Sequence, residues 1–175
     1  MTKIINFFAG PGAGKSTLAA GLFYELKMLG CNAELAPEYA KDLTWERRHD
    51  TLKVQPYIFG KQYNRIARLI GKVDVIVTDC PLILCIMYSG KNFPPSFSQS
   101  ILDLFNQFEN VNYFVNRKKD YNPAGRNQTE EEAKAIDQEL ANLLNDNKVP
   151  YKIVNGTPGG LRTISTEVLS ILGIE

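Results

Sequence analysis

Nine residues near the amino terminus constrain this chain more than any other feature. Ala9-Gly10-Pro11-Gly12-Ala13-Gly14-Lys15-Ser16-Thr17 follows an apolar run and precedes an amphipathic stretch that ends at Gly30, so it reads as a glycine-rich turn from strand into helix. The pattern is an alanine or glycine, any four residues, then Gly-Lys followed by Ser or Thr, with Ala9 in the place usually held by glycine. Gly10, Gly12 and Gly14 admit backbone angles closed to other residues, letting successive amides turn inward as an anion cradle. The following helix adds free N–H groups and the positive end of its dipole. Lys15 is placed to reach a β- or γ-phosphate and the Ser16 hydroxyl to ligate Mg²⁺. A chance Gly-Lys-Ser in an ordinary strand–helix turn is the alternative, and the strand before and helix after argue against it.

Composition narrows the surroundings. The 175 residues favour one domain with a sizeable core, and 44% hydrophobic with 22% charged residues is ordinary for a globular protein. Twenty basic against 19 acidic side chains argue against an overall basic nucleic-acid binder. Cys31, Cys80 and Cys85 lack the spacing of a zinc site or disulfide framework, which fits a reducing cytoplasm, or a host's cytoplasm for a phage protein. Neither a signal peptide nor a membrane-spanning stretch is visible. The expectation is a soluble cytoplasmic domain, monomeric or homodimeric.

Apolar runs and amphipathic stretches alternate along the chain. Residues 3–9, 32–36, 73–78, 111–116 and 151–154 read as strands, and 15–29, 82–88, 96–108 and 161–172 as helices. Residues 38–72 have a helical pattern interrupted near Asp50 and Pro56, and 117–128 form a polar loop. Thr129 caps a helix to about residue 145, with Glu132 completing a capping box. Alternating strands and helices imply an α/β class: a three-layer α/β/α fold on a five-stranded parallel sheet.

On these residues the chain resembles the P-loop nucleoside and nucleotide kinases, particularly a ribosylnicotinamide-kinase-like group that includes small phage-type AAA ATPases. The resemblance runs nearly end to end. It rests on Ala9 to Thr17, on Pro37-Glu38-Tyr39-Ala40, on Thr78-Asp79-Cys80-Pro81-Leu82, on Arg117 with Gly125-Arg126, and on Asn155-Gly156-Thr157. It implies a single kinase domain over 1–175, with a lid over about 117–128 and acceptor-side helices over about 38–72. It also implies ATP and Mg²⁺ as cofactors, and transfer of the γ-phosphate to a hydroxyl or phosphate of a nucleoside- or nucleotide-like acceptor.

Roles follow residue by residue. Glu38, just past the second strand, matches the carboxylate that accepts the acceptor hydroxyl's proton in deoxynucleoside kinases; otherwise it is a favourable acid at a helix N-terminus. Asp79 closes an apolar strand as a Walker B-like Mg²⁺ carboxylate, or simply as an N-cap. Arg117 and Arg126 are candidates to stabilise the transferring phosphoryl group, Lys118 and Lys119 being surface charge. Gly156 and Thr157 match the backbone that wraps adenine. Cys80 departs from the arginine often found there and reads as a packed thiol.

On the acceptor side, Gln55, Tyr57 and Gln62 are the best candidates to hold the substrate, although Tyr57 lies in a stretch whose periodicity also suits core packing. His49 reads as surface. Two other readings stay open: a kinase acting on hydroxymethylated pyrimidine in DNA, and a P-loop ATPase without a phosphoryl acceptor. Balanced charge disfavours DNA, and no Asn/Thr-Lys-x-Asp element marks a guanine switch.

Overall fold

A computed structural model describes residues 1–118, 121–122 and 128–174. Its centre is β1 (Lys3–Phe8), which pairs in parallel with β3 (Val75–Thr78) on one side and β4 (Glu109–Asn116) on the other. β2 (Ala33–Ala36) lies outside β3 and β5 (Lys152–Asn155) outside β4, giving the all-parallel order β2-β3-β1-β4-β5. β1 and β3 are nearly continuous apolar runs because helices cover both faces.

Alternation along β1 divides the core. Ile4 and Phe8 face a cluster with Ile76 and Phe114, closed by α4 (Gln55–Ala67), α5 (Leu84–Ser89), α6 (Pro95–Phe105) and α7 (Glu130–Asp146) through Ile66, Cys85, Ile101 and Leu140. Ile5 and Phe7 face Val77, Tyr113 and Val115, under Leu22 and Leu26 of α1 (Lys15–Met28) and Ile164 and Val168 of α8 (Pro158–Leu172). This is the expected three-layer sandwich. No helix among the described residues is long and apolar enough to cross a membrane.

The strands fall where the apolar runs place them, β3 starting two residues later than its β-branched run. Gly30 closes α1 in the left-handed region, and Thr129 with Glu132 forms the capping box. The stretch 38–72 resolves into α2 (Tyr39–Trp45), the short α3 (His49–Leu52) and α4. Its first break lies at Arg47, whose φ is 58°; Pro56 opens a helix rather than breaking one, since an N-terminal position has no amide partner to lose. For the same reason α8 starts at Pro158, three residues before its expected start, with Thr157 accepting from the Gly160 amide.

Candidate active site

All five strands point their carboxyl ends the same way, and the motif residues gather there. The loop from Ala9 to Gly14 leaves β1 with Gly12 and Gly14 at φ 81° and 103°, the left-handed conformation that needs glycine, while Ala13 packs inward. Gly14 is the N-cap of α1, so Lys15 and Ser16 occupy its first turn. The Lys15 ammonium folds across the loop and donates to the carbonyls of Ala9 (2.7 Å) and Gly10 (3.1 Å).

Beside the loop, the chain leaving β2 places Glu38 as N-cap of α2, and two buried side chains pin this turn. Asp79, at the end of β3, accepts from the Glu38 amide (3.2 Å), and Gln62 Oε1 accepts from the Tyr39 amide (3.0 Å). Thr78 ties the strand ends together by donating to Ala36 O (2.7 Å) and accepting from the Cys80 amide. Burial pushes the Glu38 pKa up, partly opposed by Lys15, and pushes the Lys15 pKa down against the pull of Glu38 and Asp79. The Glu38 carboxyl and the Lys15 ammonium thus sit in one electrostatic unit.

A cavity of about 540 Å³ connects these groups. One end is the loop: Pro11, Gly12, Gly14, Lys15, Ser16 and Thr17. Glu38 also lines the cavity. Away from the loop the walls are Leu52, Ile58, Leu84 and Cys85, with Lys41, Thr44, Lys53, Gln55, Tyr88, Ser89 and Asn92 among the polar groups. Cys80 and Cys85 also line it, desolvation holding the Cys85 thiol up at about 12 and the Cys80 thiol well above its ordinary value, which disfavours the thiolate at both.

The structure brings together Lys15, Ser16, Glu38 and Gln55 on that cavity, with Asp79 directly behind Glu38. Other expectations land elsewhere. Gln62 is fully buried against the α2 backbone, and Tyr57 lies outside the cavity with its hydroxyl 3.1 Å from that of Tyr39. The cause is helical spacing: Gln55, Ile58, Gln62 and Ile66 share the buried face of α4, Gln55 at its mouth and Gln62 two turns deeper. Gly156 packs on the back of the phosphate loop, where a Cβ would come within 2.4 Å of Ala13 O, and the Thr157 side chain is engaged in capping α8. Neither lines the cavity. Arg126 lies outside the described residues.

Arg117 takes a position the sequence did not foretell. Its guanidinium donates to Pro11 O (2.7 Å) and to Asp137 Oδ2 of α7 (2.9 Å), while Asp137 Oδ1 accepts from the Gly10 amide (2.5 Å). Sequence reasoning passed over Asp137. The available signal was its place four residues after Ala133 and three before Leu140, a carboxylate on the apolar face of an amphipathic helix. For a metal, no cluster of three or more His, Cys, Asp or Glu exists among the described residues. A hydroxyl in the first turn of α1 and the Asp79 carboxylate nearby suit Mg²⁺, which takes few protein ligands and completes its shell with phosphate oxygens and water.

A family model for an AAA domain matches residues 4–161. Among curated proteins no sequence relative matches. The fold is widely shared, with 164 solved chains similar to it. One, a crystal structure of NadR protein in complex with NR, superposes with a TM-score of 0.71 over 99% of this chain at 16% identity. The chain spans about half of that one (52%), and at such identity the likeness speaks for architecture alone. The matched family and the phosphate loop at the head of α1 together give the assignment: the chain belongs to the AAA-domain family, as a nucleotide-binding P-loop protein of kinase-like architecture.

Proposed function

We propose that residues 1–175 form one P-loop kinase domain that transfers the γ-phosphate of ATP to a hydroxyl of a nucleoside-like acceptor. One observation carries the reading: Lys15 and Glu38 face a single cavity whose walls away from the loop mix apolar side chains with polar groups, the character of a pocket for a ring and its sugar. Among the described residues lining that cavity there is no arginine; besides Lys15 its cations are Lys41 and Lys53, the latter paired with Asp50 (2.8 Å), and neither offers an arginine's bidentate fork. A hydroxyl acceptor fits this wall better than a phosphorylated one. The NR in the NadR complex, which we read as nicotinamide riboside, is a nucleoside and supports the same class.

In this mechanism the amides of the loop and Lys15 hold the phosphates and balance charge that builds on them. Ser16 and Asp79 would hold Mg²⁺, which would supply further neutralisation when bound. Glu38 accepts the acceptor's proton as its oxygen bonds to the γ-phosphorus and the bond to the β,γ-bridging oxygen breaks, releasing ADP. Arg117 and Arg126 are assigned to the transferring group. Asp79 has a second task, fixing the Glu38 backbone and with it the direction of the base.

The match to an AAA domain favours one competing reading, ATP hydrolysis without an acceptor. γ-Labelled ATP incubated with nucleosides, mononucleotides, nicotinamide riboside and hydroxymethylated DNA separates them. Label in a nucleoside phosphate is expected; label in mononucleotides or DNA only would reassign the acceptor, and label only in inorganic phosphate would move the protein to the ATPase reading.

A further inference from the structure

We propose that Asp137 is a positioning residue that docks Arg117 on the phosphate loop, so that the loop and the arginine act as one unit. The inference rests on the phosphotransfer reading for its kinetic consequence, but its geometry stands apart from it.

Both oxygens of the carboxylate are used, and by different parts of the site: Oδ1 accepts the Gly10 amide and Oδ2 the Arg117 guanidinium, which in turn reaches Pro11 O. The ring Gly10–Asp137–Arg117–Pro11 thus closes on the loop itself. Glycine at position 10 makes this approach possible, because a Cβ there would lie 2.4 Å from Ala133 O and 3.1 Å from Asp137 Oδ1. The α7 backbone therefore packs against the loop with no side chain between them. The ion pair is largely shielded, with side-chain exposures of 10% for Arg117 and 22% for Asp137, so it is not the weak surface pair that solvent screens.

A further detail says what sets the arginine's pose. Arg117 Nε is buried without a hydrogen-bond partner among the described residues, an unfavourable placement. The guanidinium tolerates it because its other nitrogens are held by Asp137 and Pro11. Removing the carboxylate should free Arg117 to turn away, leaving the phosphate loop intact but the transferring charge less well met.

The test is a double-mutant cycle of Asp137→Asn and Arg117→Ala, read as kcat, KM for ATP and melting temperature. Asp137→Asn is expected to lower kcat about 10-fold, with KM changing less than about 3-fold, the size of a misplaced rather than absent charge. In the Arg117→Ala background the same change should cost less than about 2-fold, because the residue it positions is gone. Asp137→Glu should recover part of the kcat loss. Multiplicative losses, or an Asp137→Asn effect confined to melting temperature, would overturn the proposal. If Asp137→Asn does not fold, the cycle is run with Asp137→Glu and Arg117→Lys, where equal effects of Asp137→Glu in both backgrounds overturn it. If the wild type labels no acceptor, the phosphotransfer reading falls; the cycle is then read on ADP affinity by calorimetry, where additivity overturns the docking and coupling upholds it.

Discussion

The two ends of the cavity are built by opposite means. The phosphate end is backbone: glycines in the left-handed region, a helix N-terminus, and one lysine that bonds the loop's own carbonyls. The end we assign to the acceptor is side chain, assembled from α2, α3, α4 and α5, elements of 4 to 13 residues joined by packing and by side-chain bonds such as Gln62 to the Tyr39 amide and Arg65 to Asp42. A backbone site is specified by a local pattern and tolerates little change. A side-chain site depends on how helices settle against one another, so its residues exchange more freely and give less warning in the sequence.

The sharpest way to break this contrast is at Lys15. Lys15→Ala should lower phosphoryl transfer by about 10³-fold or more, since it removes the cation nearest the developing charge. Glu38→Gln should follow, with kcat down about 10²–10⁴-fold, the range for loss of a general base, and nucleotide affinity nearly unchanged. The same variant carries a second signature. Burial raises the Glu38 pKa, so the folded protein prefers this side chain neutral, and the wild type loses stability as pH rises through that raised value. Glu38→Gln should therefore melt higher than wild type at neutral pH, the gain vanishing in acid. The wild-type rate should fall on the acid side at a higher pH than an ordinary glutamate would give.

Smaller effects grade the two ends. Gly156→Ala forces a Cβ to within 2.4 Å of Ala13 O and should cost about 1–3 kcal/mol in urea unfolding, as overpacking against rigid backbone does. Gln55→Ala should raise the acceptor KM roughly 10-fold while leaving the KM for ATP alone, the scale of one lost polar contact. Tyr57→Phe should change neither by more than about 2-fold, because its hydroxyl meets Tyr39 outside the cavity. A large effect at Tyr57 would mean that the acceptor pocket extends over the outer surface of α4.

What was legible follows the same division. The alternation of runs gave the five strands, and the glycine spacing gave the phosphate loop, because both are local patterns read directly by backbone physics. Glu38 and Asp79 were readable as strand-end carboxylates, but not the amide of one held by the side chain of the other, which is a contact across 41 residues. Gln62 looked like a substrate ligand because a buried amide needs a partner; its Oε1 finds one in the Tyr39 amide, while its Nε2 is buried without a hydrogen-bond partner among the described residues. Thr157 looked like part of an adenine site, and Pro158-Gly159-Gly160, outside the helix expected over 161–172, begin it, with Gly160 tucked where a Cβ would strike Asn155 O. Asp137 was hidden because its partners, Gly10 and Arg117, lie 127 and 20 residues away and only the packing of α7 on the loop joins them.

The most direct measurement is the partition of γ-labelled phosphate between an uncharged nucleoside and water, followed in wild type and Glu38→Gln. Label entering the nucleoside in wild type, and that transfer collapsing in Glu38→Gln while ADP still binds, is the predicted result. Label passing only to water, at the same rate in both proteins, would contradict it.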